Sequence, residues 1–244
     1  YGLILHSSDR EKRKEAYEKY YGAYESLINT ITSTYYGNVK KDVFLSRAYK
    51  YNSCLERALS GEDVKEVVYR NLLEAVKSSF PTMHRYIADR KKILGYDKLY
   101  FYDVYAPLVS DVDVKMDYDA AYEYVIKGLA PLGKEYQDLL RRGHDERWID
   151  VEETEGKRSG AYSTGCFGVH PYVLLNYKPT TSDIFTVAHE MGHSLHTYFS
   201  SHNQPYAKSD YKIFVAEVAS TVNEVLLLKF MLGDTDDVNL LSLI

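Results

Sequence analysis

Thr181-Ser182-Asp183-Ile184-Phe185-Thr186-Val187-Ala188-His189-Glu190-Met191-Gly192-His193-Ser194-Leu195-His196 reads as one amphipathic helix. Its first three residues supply N-cap chemistry, and the pattern carries it to about Ser200. At about 100° per residue, Ile184, Val187, Ala188, Met191, Leu195 and Tyr198 form one apolar stripe. His189 and His193 fall on the opposite side, one turn apart, so both imidazoles can reach one point. Exposed helix histidines would give the same pattern if nothing else in the chain answered them.

A second helix answers them. Asp210 to Met231 is apolar nearly all round, with Ile213, Phe214, Val215, Val218, Val222, Val225, Leu226, Leu227 and Leu228. Such a helix is expected to be buried. It nevertheless carries Glu217 and Glu224, seven apart on one face with Ser220 and Thr221. A buried carboxylate is costly unless it is paired or holds a metal. His189, His193 and Glu217 are therefore the expected metal ligands, and Glu224 the acceptor that orients a ligand imidazole. Ion pairs to Lys or Arg are the alternative for both glutamates.

Two histidines and one glutamate leave a position open, as in a catalytic zinc site, so one Zn2+ per chain is expected. Glu190 lies about 60° round the helix from His193 and is the expected catalytic base. It would take a proton from zinc-bound water and pass it to the leaving amine. His196 is the weaker candidate for third ligand, because three donors from one straight helix fit a tetrahedral ion poorly. The longer metzincin pattern fails, since its third histidine and its glycine are missing at the required positions.

Outward from these helices, the chain reads as mainly α with a small β-sheet beside the histidine helix. Region 1–145 reads as a helical scaffold, 146–180 as a small sheet with a glycine-rich loop, and 181–244 as the metal-binding helices, cut short at the C-terminus. The scaffold carries a helix from Arg10 to about Thr34 ended by Gly37, and a second over about Asp42 to Leu59. A third is opened by Glu62-Asp63, interrupted by Pro81 and restarted until Gly95. A long helix over Asp117 to Arg142 is disturbed at Pro131-Leu132-Gly133. Trp148 to Glu153 and Tyr172 to Tyr177 read as strands. Gly156 to Gly168, with four glycines among Ser and Thr, reads as a loop. Gly233 to Ile244 looks like the start of another helix.

The composition narrows the function classes. The chain has 244 residues, a net charge of -5, 25 tyrosines and two cysteines. No apolar run approaches the roughly 20 residues needed to span a bilayer. The basic clusters are short and mixed with acids, which argues against nucleic acid as a partner. Two distant cysteines, Cys54 and Cys166, make a disulfide framework unexpected and fit a cytoplasmic location.

The segments His189–His196 and Phe214–Glu224 strongly resemble oligoendopeptidase F, of the thimet-oligopeptidase-like zinc peptidases. The resemblance extends to Tyr102–Leu108, to Gly156–Ser163 and to His170–Tyr177. It implies a helical fold around a deep channel that cleaves short, unstructured oligopeptides. It gives His189, His193 and Glu217 to zinc and makes Glu190 the base. It also places the sheet beside the site, where an extended substrate adds to an edge. The glycine-rich loop would then allow close approach of the substrate backbone. Gly165, Gly168, His170 and Tyr172 are the substrate-binding candidates, with a structural role as the alternative for His170.

Enzymes of this type are much longer. The resemblance therefore implies regions before Tyr1 and after Ile244, the latter carrying tyrosine and histidine residues that stabilise the transition state. Impaired activity of this chain alone is expected, as is self-association through exposed apolar surfaces. Three functions remain: a zinc endopeptidase, a related metallocarboxypeptidase, and a zinc-stabilised peptide-binding piece without turnover.

Overall fold

A computed structural model describes residues 1–109 and 115–236. They fall into two units, Tyr1–Ser110 and Asp111–Ile244.

The first unit is helical: α1 Gly2–Leu5, α2 Arg10–Ser26, α3 Ile28–Ala48, α4 Cys54–Ser60, α5 Glu66–Ser78 and α6 Phe80–Ile93. Asp9 starts α2 by accepting the backbone N–H groups of Glu11 and Lys12. The expectation that Gly37 ends this run is corrected. The break comes at Leu27 (φ -110°, ψ 12°), and α3 continues through Gly37. A helical glycine costs only about 1 kcal/mol relative to alanine, which a 21-residue helix absorbs. Asp63, at φ 54°, closes the turn that precedes α5. Pro81 sits in the first turn of α6, where its missing N–H is not needed.

One buried knot holds this unit. Asp103 has no exposed surface, yet it accepts from Arg10 Nε and Nη2 at 3.0 and 2.8 Å and from Arg13 Nη2 at 3.0 Å. Arg13 Nε also reaches the Tyr102 carbonyl at 2.9 Å, and Arg90 Nη2 the Ala106 carbonyl at 2.5 Å. The Asp103 side chain and the carbonyls of Tyr102 and Ala106 thus tie the 102–108 segment to α2 and α6. By contrast, Val68, Leu72 and Val76 on one face of α5 are exposed.

The second unit carries α7 Tyr118–Gly128, α8 Lys134–Asp145, β1 Ile149–Asp150, β2 Tyr162–Thr164, β3 Tyr172–Leu174, α9 Thr181–Asn203 and α10 Ile213–Asp234. Pro131 falls in a 3-10 turn between α7 and α8, as its disturbance of the helical pattern required. Both helices belong to this unit. Its core joins Tyr122, Val125 and Ile126 of α7, Leu140 of α8, Trp148, Val173, and Ile184, Val187, Met191 and Leu195 of α9. Burying each large apolar side chain is worth about 1.5–3 kcal/mol.

The sheet order is β1-β3-β2. β1 runs parallel to β3 with Ile149 opposite Val173. β2 runs antiparallel with Ser163 opposite Val173. The reading of 156–168 as loop throughout is corrected here: Tyr162–Thr164 is an edge strand, hidden in the sequence by its Ser and Thr neighbours. The other two strands are shorter than read. α10 ends at Asp234, and the helix expected to start near Gly233 falls mostly in residues 237–244, outside the described residues. Among the described residues, no helix is long and apolar enough to cross a membrane.

Candidate metal centre

The Thr180 side chain accepts the Asp183 N–H and starts α9. Ile184, Val187, Ala188, Met191 and Leu195 then face the core, each no more than 1% exposed. This fixes the rotation of the helix and leaves His189 and His193 half-buried on the other side.

α10 crosses α9 on small residues. Its buried positions are Ala216, Ser220, Asn223, Leu227 and Met231. A β-carbon added to Gly192 would lie 2.7 Å from the Ser220 Cα and 2.9 Å from the Ala219 carbonyl oxygen. Only glycine permits that approach. Asn223 locks the crossing, donating Nδ2 to the Ala188 carbonyl at 2.9 Å and accepting from Tyr136 Oη at 3.1 Å.

The premise that α10 is buried all round is corrected. Ile213, Val218, Val222 and Val225 are exposed, and the Glu217 side chain is 53% exposed. The carboxylates are where the sequence put them, but burial of their helix is not the reason.

The geometry of the cluster is specific. His189 Nε2 and His193 Nε2 lie 3.1 Å apart, and Glu217 Oε2 lies 3.5 Å from each. Among the described residues this is the one group of three His, Cys, Asp or Glu donors gathered so closely. Tetrahedral ligation at zinc bond lengths places neighbouring donors about 3.3 Å apart, so the triangle fits that ion. Two imidazole nitrogens at 3.1 Å cannot both carry protons, and a metal would need both of them bare.

Each donor is held from behind. His189 Nδ1 faces Glu224 Oε1 at 2.5 Å. The carboxylate keeps the proton on Nδ1 and turns the Nε2 lone pair to the cluster. The His193 ring is hydrogen-bonded to the backbone of Ala216, and burial depresses its pKa, favouring the neutral ring. Ser220 Oγ donates to Glu217 Oε2 at 2.8 Å and fixes the oxygen that faces the imidazoles.

Glu190 lies beside the cluster and is 7% exposed. One side of its carboxylate accepts the Ser163 backbone N–H. Its Oε2 is buried and has no partner among the described residues. Burial raises its pKa, and the Glu217 charge adds to that, against the opposing effects of His189 and the Ser163 N–H. Ser163 is itself pinned, its hydroxyl 2.8 Å from that of the buried Ser194. An open cavity of about 400 Å3 lies over these groups, lined by Phe185, Thr186, His189, Glu190, Glu224 and Ala161.

His196 is not brought to the cluster. Its ring stacks on Tyr211 at 3.8 Å, and the Tyr211 hydroxyl bonds Thr197 Oγ1 at 2.7 Å. Gly165 packs on that same Thr197, where an added β-carbon would meet Cγ2 at 2.4 Å. Gly168 has φ 89°, a glycine conformation. His170 stacks on Trp148 at 5.2 Å and hydrogen-bonds the Pro171 carbonyl at 2.7 Å. Tyr172 is exposed and lies against the His170 ring. Ser163, Ser194 and Gly192 escaped the sequence reading, which placed Ser220 on the face of the two glutamates without giving it a role. Gly192 carried a signal, as a small residue between His189 and His193.

The model of "Peptidase family M3" matches residues 3–233. Oligopeptidase PepF of Bacillus subtilis is 47% identical over 96% of this chain, which spans 35% of that protein's length. A solved structure from Chlamydophila abortus superposes with a TM-score of 0.86 at 40% identity, over 99% of this chain and 41% of that one. Oligoendopeptidase-F of Enterococcus faecium gives a TM-score of 0.66 at 29% identity, over 98% and 35%.

Proposed function

The chain belongs to peptidase family M3, and from that premise we propose that it forms the zinc-binding part of an endopeptidase acting on internal bonds of short, unstructured peptides. The observation that carries this reading is the triangle of His189 Nε2, His193 Nε2 and Glu217 Oε2 beside the unpartnered Oε2 of Glu190. When bound, zinc supplies Lewis acidity, polarising a carbonyl and making water acidic near neutral pH.

The chain's own groups do the rest. Glu190 Oε2 takes a proton from the attacking water and delivers it to the leaving amine. The raised pKa of its carboxyl suits a group that must both accept and release that proton. The Ser163 N–H holds the carboxylate still. That N–H points away from β3, so the free edge of β2 runs along the site. An extended peptide that pairs with the Ser163 carbonyl on this edge, the N–H being held by Glu190, would cross in front of the metal donors. Backbone pairing of this kind tolerates many sequences, which suits an oligopeptidase such as the Bacillus relative.

Two measurements test the proposal. Elemental analysis after dialysis should find about one zinc per chain, lost in Glu217→Ala. Glu190→Gln should keep zinc and peptide binding but stop cleavage of a peptide blocked at both ends. Undiminished turnover in Glu190→Gln would refute the role of the base. Cleavage confined to peptides with a free C-terminus would make the protein a carboxypeptidase.

A further inference from the structure

We infer that the cavity beyond Ala161 and Thr186 is a peptide subsite that takes a long, polar-ended side chain of a bound oligopeptide; this rests on the peptidase reading above. The cavity beside His189 and Glu190 counts Ala161 and Thr186 among its walls. The same two residues line a second cavity of about 340 Å3, with Ser159, Leu175, Asn176 and Lys178. The two spaces are therefore neighbours that share these two walls, at the end where the chain enters β2. Both lie within the roughly 300–1,000 Å3 usual for ligand sites.

The position matches the path of an extended chain. A strand advances about 3.3 Å per residue and alternates its side chains. A peptide following the edge of β2 past Ala161 thus reaches the second cavity within a few residues. Its wall is built rather than loose: Asn176 Nδ2 donates to the carbonyls of Arg158 and Gly160, each at 2.8 Å. That clamp holds 158–160 opposite the end of β3.

The lining specifies the occupant. Leu175, 2% exposed, gives an apolar floor. At the rim, Lys178 Nζ pairs with Glu153 Oε2 at 3.2 Å, with both side chains about 60% exposed. A pair so wet contributes only about 0–1 kcal/mol and opens readily. An aliphatic stem over Leu175 with a polar end at this pair satisfies both features, as in glutamine, glutamate, lysine or arginine.

The test uses the zinc-loaded Glu190→Gln chain and blocked peptides followed by fluorescence anisotropy. A short core peptide is lengthened by two residues at its N-terminal or its C-terminal end, with glutamine or glycine in the added positions. One of the two glutamine extensions should tighten binding by roughly ten-fold, and its glycine counterpart should not. That gain should vanish in Ser159→Trp and in Lys178→Trp, which block the cavity from opposite walls, while both variants keep their zinc. A gain that survives both tryptophans overturns the subsite, and so does a core peptide that binds but gains from neither extension. If the core peptide itself does not bind, the peptidase reading fails, and the subsite with it.

Discussion

Gly192 and Ser220 meet backbone to backbone, so that a β-carbon on Gly192 would lie 2.7 Å from the Ser220 Cα. This contact sets how closely α10 approaches α9, and so whether Glu217 reaches the two imidazoles. Gly192→Ala should lower stability by about 1–3 kcal/mol, as overpacking does. It should also weaken zinc binding at least ten-fold, because the third donor is pushed outward. Thermal melts and zinc titration check both. Zinc binding at the parental level in Gly192→Ala would show that the helix pair adjusts without moving Glu217.

Glu224 holds the His189 imidazole without belonging to the donor triangle. Glu224→Ala should cut zinc affinity by about 10–100-fold, the usual cost of losing an orienting carboxylate. Glu224→Gln should cost less, since its carbonyl can still accept from Nδ1. Competition with a calibrated chelator measures both, and equal losses would contradict the orienting role.

Gly165 and Thr197 offer a paired test. Gly165→Ala should destabilise, because the new methyl meets Thr197 Cγ2 at 2.4 Å. Thr197→Ser removes that methyl and keeps the hydroxyl bonded to Tyr211. The double variant should recover most of the lost melting temperature. Additive losses would show that the crowding lies elsewhere.

The Asp103 carboxyl makes a different kind of prediction. Its burial pushes the pKa up, but the hydrogen bonds from Arg10, Arg13 and the Tyr100 N–H outweigh that and leave it lowered. A lowered folded pKa contributes stability above the unfolded value of about 3.9, and this is lost as pH falls through the folded value. Asp103→Asn strands two cations and should cost about 3–5 kcal/mol at neutral pH. Urea unfolding should show that cost shrinking below about pH 4.

His144 runs the other way. Burial lowers its pKa, but hydrogen bonds to Asp119 at 2.9 Å and Asp145 at 3.4 Å outweigh it and raise the net value. Its stabilising effect is then complete below the unfolded pKa of about 6.5 and is lost as pH rises through the folded one. The melting difference between wild type and His144→Gln should be larger near about pH 5.5 than near about pH 8.5. A difference that grows with pH would reverse the assignment.

The helical class and the gathering of His189, His193 and Glu217 are legible because both are written in periodicity. The i, i+4 histidines and the i, i+7 glutamates announce faces, and a face is a local property. Glu217 was reached by a wrong step, since half its side chain is open to solvent. What was illegible depended on distant partners. Tyr162–Thr164 becomes a strand only because Tyr172–Leu174 lies alongside. Ser163 matters only because α9 brings Glu190 and Ser194 to it. Gly37 misled in the opposite direction: a residue that permits a break does not impose one, and α3 runs through it.

The donor triangle also has a consequence for chain topology. His193 and Glu217 are 24 positions apart in sequence, on helices that share no disulfide. An ion joining them closes that segment as a covalent bridge would, and removes loop entropy from the unfolded chain. For a disulfide over a loop of comparable length the effect is about 3 kcal/mol. The bridge is reversible, so a chelator acts as a reducing agent does on cystine. At a free zinc concentration of a hundred dissociation constants, mass action adds about 2.7 kcal/mol to the folded state. If the triangle takes zinc as proposed, the resistance of α9 and α10 to unfolding becomes a readout of metal supply.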